Sequence, residues 1–168
     1  ENVATQCTHQ GGTDYTKEQS ANQYLFGRYS LKLTGNTSFG RVYNYNGYIT
    51  LANGETATFG CWVLSEYNLG VQLQIYDQTN GIYRVNSPTP SGSGRWEYLQ
   101  CSWTNDTGAN ATVRAVLYIG AGYSAYFDGA CFVKSSMGSP VFWGDMTNAT
   151  WSGTPHASSS TTVSNIRL

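Results

Sequence analysis

Charged residues are scarce in this chain of 168 residues, since Asp, Glu, Lys and Arg make up 11% and the net charge is −1. The nine Lys and Arg residues are scattered rather than clustered. A nucleic acid or an anionic membrane surface needs a concentrated basic patch, so the composition argues against both partners. No hydrophobic run approaches the length of a membrane span. We expect a soluble globular domain of ordinary size.

A secretion signal is not visible either. The first ten residues, ENVATQCTHQ, contain neither a basic segment nor an apolar one. The chain starts at Glu1 and shows no initiator Met. We therefore expect a segment cut from a larger protein.

Cysteines lie at positions 7, 61, 101 and 131, far from the close spacing of a metal site. With two histidines in the chain, a zinc centre is not expected. Cys61, Cys101 and Cys131 each fall within an alternating apolar segment, where a reduced cysteine behaves as a small hydrophobic residue. Buried thiols and disulfide bridges remain two alternatives.

Tyrosine, glycine and small polar residues are abundant, whereas charged residues are few. The chain has 13 Tyr, 5 Trp and 19 Gly, a mixture typical of strands, turns and amphipathic contact surfaces. Short alternating segments are separated by turn residues at intervals of roughly ten residues, the spacing of a β-sandwich or barrel. The predicted strands span residues 28–35, 40–51, 55–65, 70–77, 81–86, 95–104, 111–120 and 124–134.

Eight antiparallel strands in a chain of this size predict an all-β jelly roll, a sandwich of two sheets with about eight to nine strands. One sheet would contain, in order, residues 40–51, 111–120, 70–77 and 81–86. The other would contain residues 28–35, 124–134, 55–65 and 95–104. We predict three parts: an N-terminal strand or arm (1–27), the jelly roll (28–134) and a C-terminal extension or linker (135–168).

Side chains along a strand alternate between the core and the opposite face. In residues 70–77, the apolar Val71, Leu73 and Ile75 point to the core. The polar residues between them then share an outer face with the neighbouring strand 111–120. The predicted outer face contains Gln72, Gln74, Tyr76, Arg114 and Tyr118, with Arg41, Tyr43 and Tyr45 added if Val42 points inward, and with Tyr83 as a further weaker member. In the other sheet, the residues predicted to face the core include Cys61, Cys101, Cys131 and Val133.

Five segments resemble a known family when taken in order. SLKLTG, TATFGCWV, VQLQIYD, RWEYLQCSWT and SAYFDGACFVK are similar to the recurring strands of jelly-roll carbohydrate-binding modules of families four, nine and twenty-two. The match covers about residues 28–134 and is specific in its order and spacing. The resemblance implies a sandwich that binds a carbohydrate through the sheet carrying the predicted outer face.

Those modules usually begin with an Asn-Gly-Phe-Glu phrase whose Glu helps bind a structural Ca²⁺, and no such phrase precedes Arg28. The Asp of their closing phrase is present as Asp128. Calcium takes about six to eight oxygen ligands, and the sequence identifies one. The resemblance therefore implies either a structural Ca²⁺ at Asp128 or a residue that only makes turn or sheet hydrogen bonds. No other cofactor is expected.

The segment VFWGDMTNATWSGTPHASSSTT (141–162) resembles the closing phrase of phage tail and fibre proteins and of some bacterial surface proteins. The residues that carry this second resemblance are Gly144, Asp145, Trp151, Gly153, Thr154, His156, Ser158 and Ser160. The resemblance implies a structural appendage or linker, and a virion or extracellular location for the parent protein.

Catalysis is not expected. A glycosidase needs two carboxyl groups about 5 Å or about 6.5–9.5 Å apart, whereas Asp77, Glu97, Asp128 and Asp145 fall in different strands or turns. His156 has Ser and Asp residues near it in sequence, but a catalytic triad is a spatial arrangement.

Binding of a polysaccharide or cell-surface glycan is the first hypothesis. Sugar C–H faces stack on aromatic rings, and sugar hydroxyls pair with the donors and acceptors of Gln, Arg and Tyr. A polar outer face is also what any solvated antiparallel sheet displays. The alternative is a structural or oligomer-forming module of a fibre or virion, whose Tyr-rich sheet packs against a second copy or another structural subunit.

Overall fold

The computed structural model of the chain describes residues 7–44, 47–135, 149–151 and 160–162. Its strands are β1 (Cys7–Gly11), β2 (Tyr15–Ser20), β3 (Ser30–Gly35), β4 (Gly40–Asn44), β5 (Tyr48–Leu51), β6 (Thr56–Leu64), β7 (Val71–Asp77), β8 (Ile82–Asn86), β9 (Trp96–Thr104), β10 (Ala111–Ile119), β11 (Ser124–Val133), β12 (Ala149–Trp151) and β13 (Ser160–Thr162). Within those ranges, no helix has the length and apolarity to span a membrane.

Two antiparallel sheets form the sandwich. The front sheet has the order β1-β4-β10-β7-β8, and β5 also pairs with β10. The back sheet has the order β2-β3-β11-β6-β9. Apart from β1, β2 and the separate β5, these are the two sheets predicted for a jelly roll, so the all-β sandwich is confirmed. The short strands β12 and β13 pair with each other.

The edges of the sandwich contain two strands from the segment 1–27, for which an N-terminal strand or arm is predicted, and the predicted strand 40–51 is divided. Strand β1 adds to the front sheet beside β4, and β2 adds to the back sheet beside β3. The predicted strand 40–51 is two strands, because β4 pairs with residues 117–119 of β10 and β5 pairs with residues 111–114. Both therefore lie along the same side of β10, one after the other.

The core lies between the sheets and consists of the inward side chains of both. Each fully buried Leu, Ile, Val or Phe side chain stabilises the fold by roughly 1.5–3 kcal/mol relative to exposure. The large buried members are Leu31, Leu33, Val42, Leu51, Phe59, Val63, Val71, Leu73, Ile75, Val113, Ile119 and Phe127. The inward orientation predicted for Val42, Val71, Leu73 and Ile75 is confirmed.

A β-bulge in β11 changes which of its residues face the core. The register with β6 shifts just before Cys131, where Gly129 has a left-handed φ of 57°. Phe132 then lies opposite Phe59, and the two rings meet edge to face at 6.1 Å. Because neighbours in a strand point to opposite faces, Cys131 and Val133 lie on the outer face. The prediction that they face the core is wrong.

Two cysteines are buried in the core as predicted. The Cys61 sulfur lies 3.3 Å from the carbonyl oxygens of Trp62 and of Asp128, which share its one S–H donor. The Cys101 thiol contacts the carbonyl oxygen of Leu73 at 3.8 Å. Burial raises the pKa of Cys101 to about 12. Both side chains act as core residues rather than as reactive thiols.

Candidate functional site

The outer face of the front sheet is organised around β10. Leu117 and Ile119 are buried in the core, so the alternation turns Arg114, Val116 and Tyr118 to the other side. Across the sheet, the strand register aligns these residues with side chains of β4, β5, β7 and β8. The resulting rows are Tyr48–Arg114–Tyr76–Tyr83, Val116–Gln74–Asn86 and Arg41–Tyr118–Gln72.

Arg114 lies within a cage of three tyrosines at one end of this face. Its guanidinium carbon is 3.8 Å from the centre of the Tyr43 ring, 5.0 Å from Tyr76 and 5.7 Å from Tyr48. The Nη1 group donates to the Tyr48 hydroxyl at 3.2 Å. Stacking of this kind holds the rings in fixed positions and favours the charged guanidinium.

Arg41 forms a second cage at the other end. Its guanidinium carbon is 4.4 Å from the Tyr83 ring, 4.6 Å from Phe39 and 5.1 Å from Tyr118. Its Nε donates to Oε1 of Gln74 at 3.0 Å. The side chain thus reaches across the middle row and connects Tyr118 with Tyr83.

Two predicted binding residues lie on this face but are covered. Gln74 is 4% exposed and Arg114 is 8% exposed, and Val116 between them is fully buried. The Arg41 side chain is bonded to Gln74, and the tyrosine cage surrounds Arg114. Other side chains of the face therefore cover these two residues, whereas the sequence predicts that they contact a ligand directly.

Several side chains of the face reach its surface. Arg41, Gln72, Tyr76 and Tyr118 are half-buried, and Tyr83 and Tyr48 are exposed. The ring of Tyr76 packs against Tyr83 at 4.8 Å. Tyrosine rings and a glutamine amide thus lie on the same face, as the strand alternation predicts.

Strand β4 orients Tyr43 as predicted, because Val42 is buried and Tyr43 stacks on Arg114. Tyr45 lies outside the described residues. Tyr48 was not predicted as a site residue. If residues 40–51 formed one regular strand, Val42 and every other even-numbered residue, Tyr48 included, would face the core. The break between β4 and β5 interrupts this alternation and places Tyr48 on the outer face. Phe39 was also missed, since it precedes β4 and no strand pattern includes it.

Asp128 is held by hydrogen bonds from three backbone N–H groups. Its Oδ2 accepts the backbone N–H groups of Leu25 and Phe26, both at 2.8 Å, and its Oδ1 accepts that of Gly129 at 2.8 Å. Burial raises the pKa of Asp128, and these three donors oppose the shift without cancelling it. These three bonds are the turn and sheet hydrogen bonds of the second alternative, and a structural Ca²⁺ at Asp128 stays a prediction. The described residues also contain no cluster of three or more His, Cys, Asp or Glu that could hold a metal.

A cavity of about 330 Å³ opens between the sheets, away from the outer face of the front sheet. Core side chains such as Leu31, Phe59 and Phe127 line it, and Asp128 lies at its edge. Its apolar lining is a packing feature of the sandwich, and none of the predicted site residues except Tyr43 and Asp128 borders it.

The predicted C-terminal phrase lies largely outside the described residues, including Asp145 and His156. Its backbone is described at β12 and β13.

No model of a known protein family matches the sequence, and no curated protein matches it. Solved structures do match. The C-terminal family 22 carbohydrate-binding module of Clostridium thermocellum Xyn10B has a TM-score of 0.53 and 17% identity, and the match covers 82% of this chain and 91% of that chain. A xylan-binding domain of family 22 has a TM-score of 0.52 and 18% identity, over 82% of this chain and 92% of that chain. This chain has the sandwich fold of carbohydrate-binding modules.

The same fold occurs within a phage protein. The enzymatically active domain of bacteriophage CBA120 tailspike protein 4 has a TM-score of 0.53 and 14% identity. The match covers 77% of this chain and 19% of that chain, so this chain spans about a fifth of the tailspike domain. At these identities the likenesses establish the fold, as the resemblance in the sequence implied.

Proposed function

We propose that the protein is a non-catalytic carbohydrate-binding domain that holds a polysaccharide or cell-surface glycan on the outer face of the front sheet. The observation that carries the proposal is the pair of arginine cages, which fix six aromatic rings on one sheet face. Fixed rings lose little conformational entropy when a ligand stacks on them, which favours binding.

The chemistry of the face suits a sugar. Tyr76, Tyr83 and Tyr118 offer ring surfaces for C–H faces, and their hydroxyls and the Gln72 amide offer donors and acceptors for sugar hydroxyls. Structures with the same fold include a xylan-binding domain, which supports a glycan as the partner.

A binding role without catalysis agrees with the positions of the carboxylates. No Asp or Glu lies on the outer face of the described front-sheet strands. Asp77 and Glu97 are held elsewhere by Arg84 and by Ser91. The fold within the tailspike domain and the C-terminal phrase support a module of a phage tail or extracellular surface protein, located on the virion or outside the cell.

Glycan-array binding tests the proposal. We expect the wild type to retain at least one polysaccharide. Tyr118→Ala should weaken that retention by up to about tenfold, because an aromatic stacking contact contributes about 0.5–1.5 kcal/mol and about 1.4 kcal/mol is tenfold in affinity. Gln72→Ala should weaken it too. Tyr24→Ala removes an exposed ring before β3 and serves as the control.

Unchanged retention in both face variants would remove this face from the mechanism. Analytical ultracentrifugation distinguishes the proposed function from the alternative of a structural module. A tight trimer or polymer without glycan affinity would support the structural module. A monomer that retains a glycan supports the proposal.

A further inference from the structure

The two guanidinium groups on the outer face of the front sheet have no carboxylate partner among the described residues. The ion pairs that the described residues form lie elsewhere, at Lys32–Glu18, Arg84–Asp77 and Lys134–Glu55. The strands of this sheet place no Asp or Glu on that face. The face therefore carries two positive charges and, in the described strands, no negative one.

Arg114 is buried, so the absence of a carboxylate partner on this face affects the energy of its charge. The residue is only 8% exposed. Its Nε is buried without a hydrogen-bond partner in the described structure. A buried charge without a counter-ion is costly unless a partner compensates it. The tyrosine rings supply part of that compensation through their electron-rich faces, and an anion near the cage would supply the rest.

Arg41 offers the group that an anion can reach. It is half-buried, and its described hydrogen bond uses Nε, which leaves the two Nη groups of the fork without a described acceptor. A guanidinium fork matches the two oxygens of a carboxylate. Arg41 lies opposite Tyr118, four residues along β10 from Arg114, so the backbones of the two rows are about 13 Å apart along the strand, and the Arg41 side chain extends from its row to Tyr83.

We propose that the ligand of this face is an acidic glycan, whose uronate carboxylates pair with Arg41 directly and with the positive field of Arg114. This inference rests on the proposed function and narrows it to one class of sugar. The ring-bearing rows of the face extend about 13 Å along β10, from Arg114 to Tyr118, which is longer than one sugar ring, so the ligand is a chain with repeated carboxylates rather than a single uronic acid. The rings between the arginines bind the sugar faces, and the arginines select the charge.

Affinity electrophoresis with matched polysaccharides tests the class of ligand. The probes are polygalacturonate, alginate and hyaluronan, each beside its carboxyl-reduced form, together with neutral xylan and β-glucan. We expect retention by at least one uronate polymer, at least about tenfold weaker retention by its reduced form, and a loss of retention as salt is raised.

Equal retention by an acidic polymer and its reduced form, or retention by neutral polymers alone, would overturn the inference while leaving the proposed function intact. Retention of none of these probes and of nothing on the glycan array would overturn both.

Variants of Arg41 test whether its charge binds the ligand, and their melting temperatures show whether the fold is intact. Arg41→Gln should reduce retention of the acidic polymer by about tenfold, and Arg41→Lys should restore only part of it because the planar fork is missing. Arg95→Gln removes an exposed arginine just before β9 in the back sheet and serves as the matched control. If Arg41→Gln, with an unchanged melting temperature, binds the acidic polymer as the wild type does, Arg41 is not the contact.

Discussion

The guanidinium carbon of Arg114 lies 3.8 Å from the centre of the Tyr43 ring, and this contact joins β10 to β4 on the outer face of the front sheet. Arg114 is nearly buried, whereas Tyr43 is half-buried and forms part of its cover. The ring therefore does two things at once: it shields a charge from water and stabilises that charge through its face.

Replacing Tyr43 with Ala should destabilise the protein by about 2 kcal/mol, since a desolvated cation–π contact has that magnitude. Tyr43→Phe keeps the ring and should cost much less. Urea unfolding followed by tryptophan fluorescence measures both, with Tyr24→Ala as the exposed control. A Tyr43→Phe variant as unstable as Tyr43→Ala would show that the hydroxyl, and not the stacking, matters.

Asp77 is fully buried at the end of β7, and its Oδ2 accepts from Nη2 of Arg84 at 2.7 Å and from the side chain of Asn80 at 2.7 Å. Asp77→Asn should destabilise the protein by about 3 kcal/mol near neutral pH, because it leaves the Arg84 charge without its partner. Asp106→Asn, at an exposed loop position, is the control.

The same ion pair predicts a pH dependence. Burial raises the pKa of Asp77, but the bonds from Asn80 and Arg84 outweigh it and hold that pKa below its usual value. A lowered pKa means that this stabilisation is complete above about pH 4 and is lost as the pH falls further. The stability gap between wild type and Asp77→Asn should therefore shrink in acid. A gap that stays constant down to pH 2 would contradict this assignment.

The strand pattern was sufficient to predict the sandwich, because alternation reports which side of a strand is buried. It placed Val42 inward and Tyr43 outward, and the structure agrees. Alternation fails where the backbone interrupts it. The bulge in β11 moves Cys131 outward, and the break before β5 brings Tyr48 onto the front face. The burial of Gln74 was also not predictable, since it depends on where the long Arg41 side chain lies.

Asp128 should stabilise the fold through its three backbone N–H bonds rather than through a metal. Asp128→Ala leaves the N–H groups of Leu25, Phe26 and Gly129 without this acceptor, and should cost about 1–3 kcal/mol. Thermal unfolding of the wild type should be the same in Ca²⁺ and in EDTA. A melting temperature that EDTA lowers in the wild type but not in Asp128→Ala would instead place a metal there.

Cys101 should be chemically inert in the folded protein. Burial raises its pKa to about 12, so at pH 8 almost none of it is thiolate, the form that reacts. Alkylation at pH 8 followed by peptide mass spectrometry should find Cys101 unmodified in the native protein and modified in urea. The half-buried Cys131 is the internal comparison. Equal native modification of both residues would show that the core opens at β9.

Gly60 is required by the ring of Tyr98, which lies over it on the outer face of the back sheet. A Cβ atom at position 60 would overlap the Tyr98 hydroxyl and would lie 2.6 Å from the ring carbon Cζ. Gly60→Ala should therefore cost about 1–3 kcal/mol as an overpacking change.

A double-mutant cycle distinguishes crowding from backbone strain at position 60. In a Tyr98→Ala background the space above Gly60 is vacated, so Gly60→Ala should become nearly neutral, with a coupling of about 1–2 kcal/mol. Gly54 is the matched control, because its φ of 85° makes Ala strained although nothing lies within 4 Å of an added Cβ. Gly54→Ala should cost the same with or without Tyr98. If Gly60→Ala is equally costly in both backgrounds, the requirement for glycine comes from the backbone of β6 and not from the ring.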